Sequence, residues 1–159
     1  MPDSRHLITV ISGGFDPLHI GHLRLIQAAH KFDGKVTKLI VGLNSDEWLV
    51  RKKGAKFMHF AHRAELIEGY TEVDQVMAFD DSDDTACDLL RKIRNDYPKH
   101  AYRVVFCNGG DRTEGNIPEH KVATELDIEF AYNVGGGKIA SSSELVGKYL
   151  AETNKDNQT

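Results

Sequence analysis

Five short runs rich in Val, Ile and Phe, separated by stretches of helical spacing, constrain this chain more than any other feature. The runs cover residues 7–12, 36–43, 73–79, 103–107 and 128–132. Each is short and bounded by polar or glycine-containing turns, the pattern of strands buried on both faces. Helical spacing recurs over 20–32, 59–69, 85–96, 118–125 and 141–151. In the first of these, Leu23, Ile26, Gln27 and His30 mark successive turns, with Leu25 and Ala29 completing an apolar stripe. In the third, Leu89, Leu90 and Ile93 form an inner face while Arg91, Lys92 and Arg94 look outward. Alternating strand and helix demands right-handed crossovers, hence an α/β fold with a parallel sheet and helices on both faces. Residues 1–151 read as one domain, long enough for a real core, and 152–159 as a frayed polar tail.

Between the first strand and the first helix stands Gly13-Gly14-Phe15-Asp16-Pro17-Leu18-His19-Ile20-Gly21-His22. Gly13 and Gly14 let the backbone approach a phosphate closely. A helix N-terminus presents unpaired N–H groups and the positive end of its dipole, which suits the same ligand. His19 and His22 add donors aimed the same way. The spacing lacks the full Gly-x-Gly-x-x-Gly of nicotinamide binders, and the lysine-bearing P-loop signature is absent. A second anion cradle is readable at Gly135-Gly136-Gly137-Lys138, followed by Ser141-Ser142-Ser143 at a helix start. A third basic cluster, Arg51, Lys52, Lys53 and Lys56, reads from its own residues as a solvated loop. The acidic run over 80–84 reads as a turn that caps the next helix rather than a metal site. His59 and His62, with His19 and His22, lack a cysteine or carboxylate to complete a zinc site.

The net charge of −4 argues against a general nucleic-acid binder. No apolar stretch is long enough to span a bilayer, and the polar opening residues do not form a signal peptide. Cys87 and Cys107 are too few for a disulfide framework, so a cytoplasmic location is expected.

The segment from Gly13 to His22 resembles the first signature of the His-x-Gly-His nucleotidyltransferase superfamily. That superfamily includes the glycerol-3-phosphate cytidylyltransferases, the heptose-phosphate adenylyltransferases and the phosphopantetheine adenylyltransferases. The likeness continues along the chain. Leu43-Asn44-Ser45-Asp46-Glu47 is similar to the segment after the second strand in both of the first two groups. His62-Arg63 and then Tyr70-Thr71-Glu72-Val73-Asp74-Gln75-Val76 resemble the family's "Arg … Tyr-Val-Asp-Glu-Val". Asn108-Gly109-Gly110-Asp111 stands where the family carries a Gly-Asp pair, and Lys138-Ile139-Ala140-Ser141-Ser142-Ser143 where its second signature opens the last helix.

The resemblance implies a Rossmann-like sheet of strand order 3-2-1-4-5. It also implies transfer of CMP or AMP from CTP or ATP to a small phosphorylated acceptor, such as glycerol 3-phosphate or a sugar phosphate, with release of pyrophosphate. His19 and His22 would then donate to the α-phosphate and bridging oxygens, with protonated imidazole the better donor. Lys52 and Arg63 would hold acceptor or phosphates, and Phe15, Gly109, Gly110 and Asp111 would line the nucleotide pocket. Lys138 and Ser141 to Ser143 would hold the outer phosphates. Mg²⁺ would ride mainly on the nucleotide, with Asp16 as its nearest protein partner. A homodimer is expected by the same resemblance, with neither nucleic acid nor membrane as partner. The tract from Lys52 to Arg63 leans toward cytidylyltransferases and sets CTP slightly ahead. Asn44-Ser45-Asp46 and Gly109-Gly110-Asp111 lean toward adenylyl transfer to heptose 1-phosphate. The chain lacks the arginine that cytidylyltransferases carry before the last helix. A nucleotide sensor that keeps the fold without turnover is the reading from another class, and the retained histidine pair stands against it.

Overall fold

A computed structural model describes residues 3–110, 117–136 and 141–156. Strand β1 (His6–Gly13) leads through helix α1 (Ile20–His30) to a two-strand hairpin, β2 (Lys31–Phe32) with β3 (Lys35–Val36). Then come β4 (Lys38–Leu43), α2 (Asp46–Lys53), α3 (Phe60–Glu68) and β5 (Gln75–Ala78). The second half holds α4 (Cys87–Asp96), β6 (Tyr102–Cys107), α5 (His120–Glu125), β7 (Glu129–Ala131) and α6 (Ser142–Asp156). The main sheet is parallel throughout and ordered β5-β4-β1-β6-β7. With the hairpin set aside, its five strands in chain order lie as 3-2-1-4-5, as expected.

Alternation along the strands divides the core into two layers. Ile8, Val10, Ile40, Val104 and Phe106 pack against Leu89, Leu90 and Ile93 of α4 and Ala123 of α5. Ile11, Leu39, Val41 and Val105 pack on the other face against Ile26 and Ala29 of α1 and Ile67 of α3. Gly42 is required by this packing, because a Cβ there would run into the Leu89 side chain. The run over 36–43 does not form one strand. It breaks at Thr37, whose buried hydroxyl bonds Thr9 Oγ1 at 2.6 Å and donates to Ala29 O at 3.1 Å.

Three expectations are corrected. The basic cluster is not a loop: Arg51 to Lys53 form the last turn of α2, which starts on a Ser45 side-chain cap and stops at Gly54 in the left-handed region (φ 84°). The acidic run does not simply cap α4. Asp81 is buried and accepts hydrogen bonds from Ser45 N–H, Ser45 Oγ–H and Asn44 Nδ2, so it fastens the start of α2. The last helix does not end at residue 151 but runs on to Asp156.

Candidate active site

The C-terminal end of β1, at the centre of the sheet, hands the chain to the glycine loop, where open α/β sheets place their ligands. The loop is held by two buried side chains. Asp16 accepts from Phe57 N–H at 2.6 Å and Met58 N–H at 3.0 Å, tying the loop to the segment before α3. Arg63, with no exposed surface, donates to Gly14 O (2.9 Å), Asn44 O (2.8 Å), Met58 O (3.0 Å) and Asp46 Oδ1 (2.7 Å). Its guanidinium is committed to protein groups and clamps the glycine loop to the end of β4. It is not turned to a ligand.

His19 is the N-cap of α1. Its Nδ1 accepts from Gly21 N–H at 3.0 Å, while His22 Nδ1 accepts from His19 N–H at 3.3 Å, completing a reciprocal capping box. The two rings stack with centroids 3.8 Å apart, and Phe15 packs on His22 at 4.8 Å. Because each Nδ1 is an acceptor, the proton of a neutral ring sits on Nε2. Burial lowers the pKa of both rings, with a further push from Lys53, and His22 falls to about 3. The expectation of protonated imidazoles is therefore corrected: at neutral pH both are neutral Nε2–H donors.

These rings line a cleft of about 360 Å³ together with Gly13, Phe15, Lys53, Gly109, Gly110, Gly135 and Ser141 to Ser143. The far wall is the start of α6. Ser141 Oγ accepts from Glu144 N–H at 3.3 Å, a helix cap, and Ser142 Oγ donates to Pro17 O at 2.8 Å, joining α6 to the glycine loop. Two of the three serines thus have structural partners, and Ser143 is exposed at the cleft. The loops after β6 and β7 are bound to each other through Asn108 N–H to Ala131 O and Val134 N–H to Asn108 O. Gly14 sits under Trp48 and Leu49, packing that a side chain would disturb. Asp111 and Lys138 lie outside the described residues.

Among the described residues the lysine on the cleft wall is Lys53, which the sequence reading did not single out. Lost hydration holds its ammonium below the usual lysine range, against the pull of Asp16. Lys52 instead pairs with Asp84 at 3.8 Å, beside the Arg51–Asp84 pair, and borders a neighbouring groove along α6. Recognising α2 as a helix was the missing signal, since adjacent helical residues point about 100° apart.

The metal reading is also sharpened. Both Asp16 oxygens already accept backbone N–H groups, and no carboxylate lines the cleft among the described residues. Among the described residues the cleft offers Mg²⁺ no carboxylate, which fits an ion carried mainly by the nucleotide phosphates. His59 pairs with Asp46 (3.7 Å), and no group of three or more metal-ligating side chains forms among the described residues.

A family model described as cytidylyltransferase-like matches residues 10–132, from β1 through β7. The chain belongs to the cytidylyltransferase-like family. Curated relatives within reach include the bifunctional protein HldE of Geotalea uraniireducens, 38% identical over 139 residues, covering 86% of this chain and 24% of that protein. HldE of Sulfurimonas denitrificans is 34% identical over 128 residues, covering 79% of this chain and 24% of that protein. The chain spans about a fifth to a quarter of the length of the curated relatives it matches. Among solved structures, the lipopolysaccharide core biosynthesis protein from Thermoplasma volcanium superposes with a TM-score of 0.57 at 18% identity, covering 79% of this chain and 94% of that one. At that identity the likeness is one of fold. Family membership makes this chain a nucleotidyltransferase domain, with its glycine loop and histidine pair inside the matched span.

Proposed function

We propose that this nucleotidyltransferase domain transfers AMP from ATP to the phosphate of a small sugar phosphate and releases pyrophosphate. The observation that carries the reading is the pair of neutral Nε2–H imidazoles on the N-terminus of α1, facing a cleft whose far wall is the N-terminus of α6. An acceptor phosphate oxygen attacks the α-phosphorus in line, and the bond to the bridging oxygen breaks with its electrons leaving on pyrophosphate. No protein nucleophile is needed. His19 and His22 donate to a non-bridging α-oxygen and to the bridging oxygen as charge builds there. Lys53 supplies a cation on the cleft wall near them, and Ser143 with the α6 amides meets the outer phosphates. Neutral donors suit a site that must not bind phosphate as a permanent ion pair.

The donor assignment is supported by how the discriminating residues are engaged. Lys52 and Arg63, the two ends of the tract that leaned toward CTP, are engaged by Asp84 and by four protein acceptors respectively. Asn44 and Ser45, which leaned toward adenylyl transfer, are likewise engaged by Asp81. Of these features Gly109-Gly110, from the adenylyltransferase-like pattern, and Lys53, from the tract that leaned toward CTP, line the cleft; the glycine pair borders the end away from the outer phosphates and is given the greater weight. The sequence similarity to HldE proteins runs the same way as that pattern.

The test is pyrophosphate release with ATP or CTP, Mg²⁺, and a panel of sugar 1-phosphates plus glycerol 3-phosphate. Turnover with ATP and a sugar phosphate is expected. Turnover with CTP and glycerol 3-phosphate would overturn the donor and acceptor, and nucleotide binding without release across the panel would establish a sensor.

A further inference from the structure

The cleft has two chemically different ends. At one end stand Lys53, Ser142 and Ser143 with the amides of α6. At the other, Gly109, Gly110, Val134, Gly135 and Gly136 form a slot with almost no side chains. The slot rests on α1 itself. A Cβ at Gly135 would lie 3.2 Å from the Leu25 backbone, and one at Gly109 would lie 3.4 Å from Leu25 Cδ1. Gly135 also holds φ at 86°, where a side chain is strained, so that wall is both thin and fixed. Among the described residues one charged side chain borders the slot: Arg24, two residues past His22 on α1. It is exposed and makes no hydrogen bond or ion pair among the described residues. Four other arginines by contrast are committed, Arg51, Arg63, Arg94 and Arg103 all being bonded to protein acceptors.

The two ends assign the two halves of a nucleotide. A triphosphate whose α-phosphorus sits at the histidines runs its outer phosphates toward Lys53 and α6, so its nucleoside occupies the glycine slot. Lys53 stands at the α6 end of the cleft, whereas Arg24 borders it on α1 beside Leu25, the residue on which the glycine slot rests. We propose that Arg24 reads the nucleobase, its planar guanidinium lying over the base face at the mouth of the glycine slot. The assignment rests on the nucleotidyl-transfer reading above. Adenine's edge alternates a donor with an acceptor, so a donor-only guanidinium cannot pair with it in fork geometry and contacts its face instead. A stacked arginine depends on its plane as well as its charge, and lysine does not replace it.

The experiment is calorimetric binding of ATP and of inorganic tripolyphosphate to wild type, Arg24→Ala and Arg24→Lys. Stacking of this kind corresponds to about a tenfold change in affinity. Arg24→Ala is expected to weaken ATP about tenfold, Arg24→Lys to weaken it nearly as much, and neither to change tripolyphosphate binding. Full recovery by lysine, an equal loss for tripolyphosphate, or unchanged ATP affinity would each overturn the proposal. Wild type that binds tripolyphosphate and no nucleoside triphosphate defeats the functional reading as well. Wild type that prefers CTP defeats the donor assignment and the stacking geometry together, because cytosine N3 and O2 can both accept from a guanidinium.

Discussion

Replacing Arg63 separates a structural clamp from a phosphate grip. In Arg63→Met the side chain keeps its apolar stem, but four acceptors lose their donor: the carbonyls of Gly14, Asn44 and Met58, and Asp46 Oδ1. Removing one partner of a buried ion pair costs about 3–5 kcal/mol, because the remaining charge is left without compensation. Asp46 retains partial access to water, its side chain being 25% exposed, which moves the figure to the lower half of that range. The orphaned carbonyls act in the opposite direction, at about 1–3 kcal/mol each where water cannot reach them. We expect a net loss of about 4 kcal/mol, a large share of the roughly 5–15 kcal/mol a domain has. Thermal unfolding should then fall by roughly 8–16 °C, at about 2–4 °C per kcal/mol for a domain of this size. The assay is urea unfolding with matched calorimetry on wild type, Arg63→Met and Arg63→Lys. Lysine retains charge but cannot reach four divergent acceptors, so it should recover only a minor part. If Arg63→Lys unfolds within about 1 kcal/mol of wild type yet raises the KM for either substrate tenfold, the clamp reasoning is wrong.

Further outcomes follow from the histidines and lysines. His19→Ala and His22→Ala should each lower kcat about 10²–10³-fold in the pyrophosphate-release assay, the range for losing one preorganised donor to a developing charge. For stability against pH, the unfolded His22 titrates near 6.5 and the folded one near 3. The unfolded state therefore binds the proton first. The contribution is intact above about pH 6.5 and is lost as pH falls from there toward about 3, by up to about 1.4 kcal/mol per pH unit. Denaturant unfolding at about pH 7.5 and pH 5.5 should show this fall in wild type and a reduced one in His22→Gln; equal falls would refute it. Lys53→Met should reduce kcat at least tenfold more than Lys52→Met, and the reverse order would exchange their roles.

The sheet was legible because its strands are buried on both faces, which leaves runs that are apolar throughout, and because the crossovers between them admit one hand. Errors gathered where burial is slight. Helix α2 buries only Leu49, so it has no apolar stripe to read, although Ser45 before it, Asp46 and Glu47 in its first turn and Gly54 after it were all present as end signals. That omission hid the turn that separates Lys52 from Lys53. The site motifs were legible as types and less so as roles. An arginine and an aspartate in such motifs invite a ligand, yet Arg63 and Asp16 spend their polar atoms on protein groups that hold the loop. No periodicity distinguishes a side chain that touches a phosphate from one that shapes the loop touching it. The same blindness covered the imidazoles, whose neutrality depends on burial and a nearby ammonium, and whose tautomer depends on two backbone N–H groups, all brought together by folding.

The capping box at the start of α1 uses the same Nδ1 atoms that set the tautomer of both rings. Local opening of that first turn and loss of reactivity are therefore a single equilibrium. A proton added at His22 Nδ1 must displace the His19 amide, so acid inactivation would begin as fraying of one helical turn rather than as titration of a rigid site. Hydrogen exchange at the amides of His19 and Gly21 would accelerate in step with the loss of turnover. A ligand that engages both Nε2–H groups would slow it, so the same two amides report occupancy of the cleft.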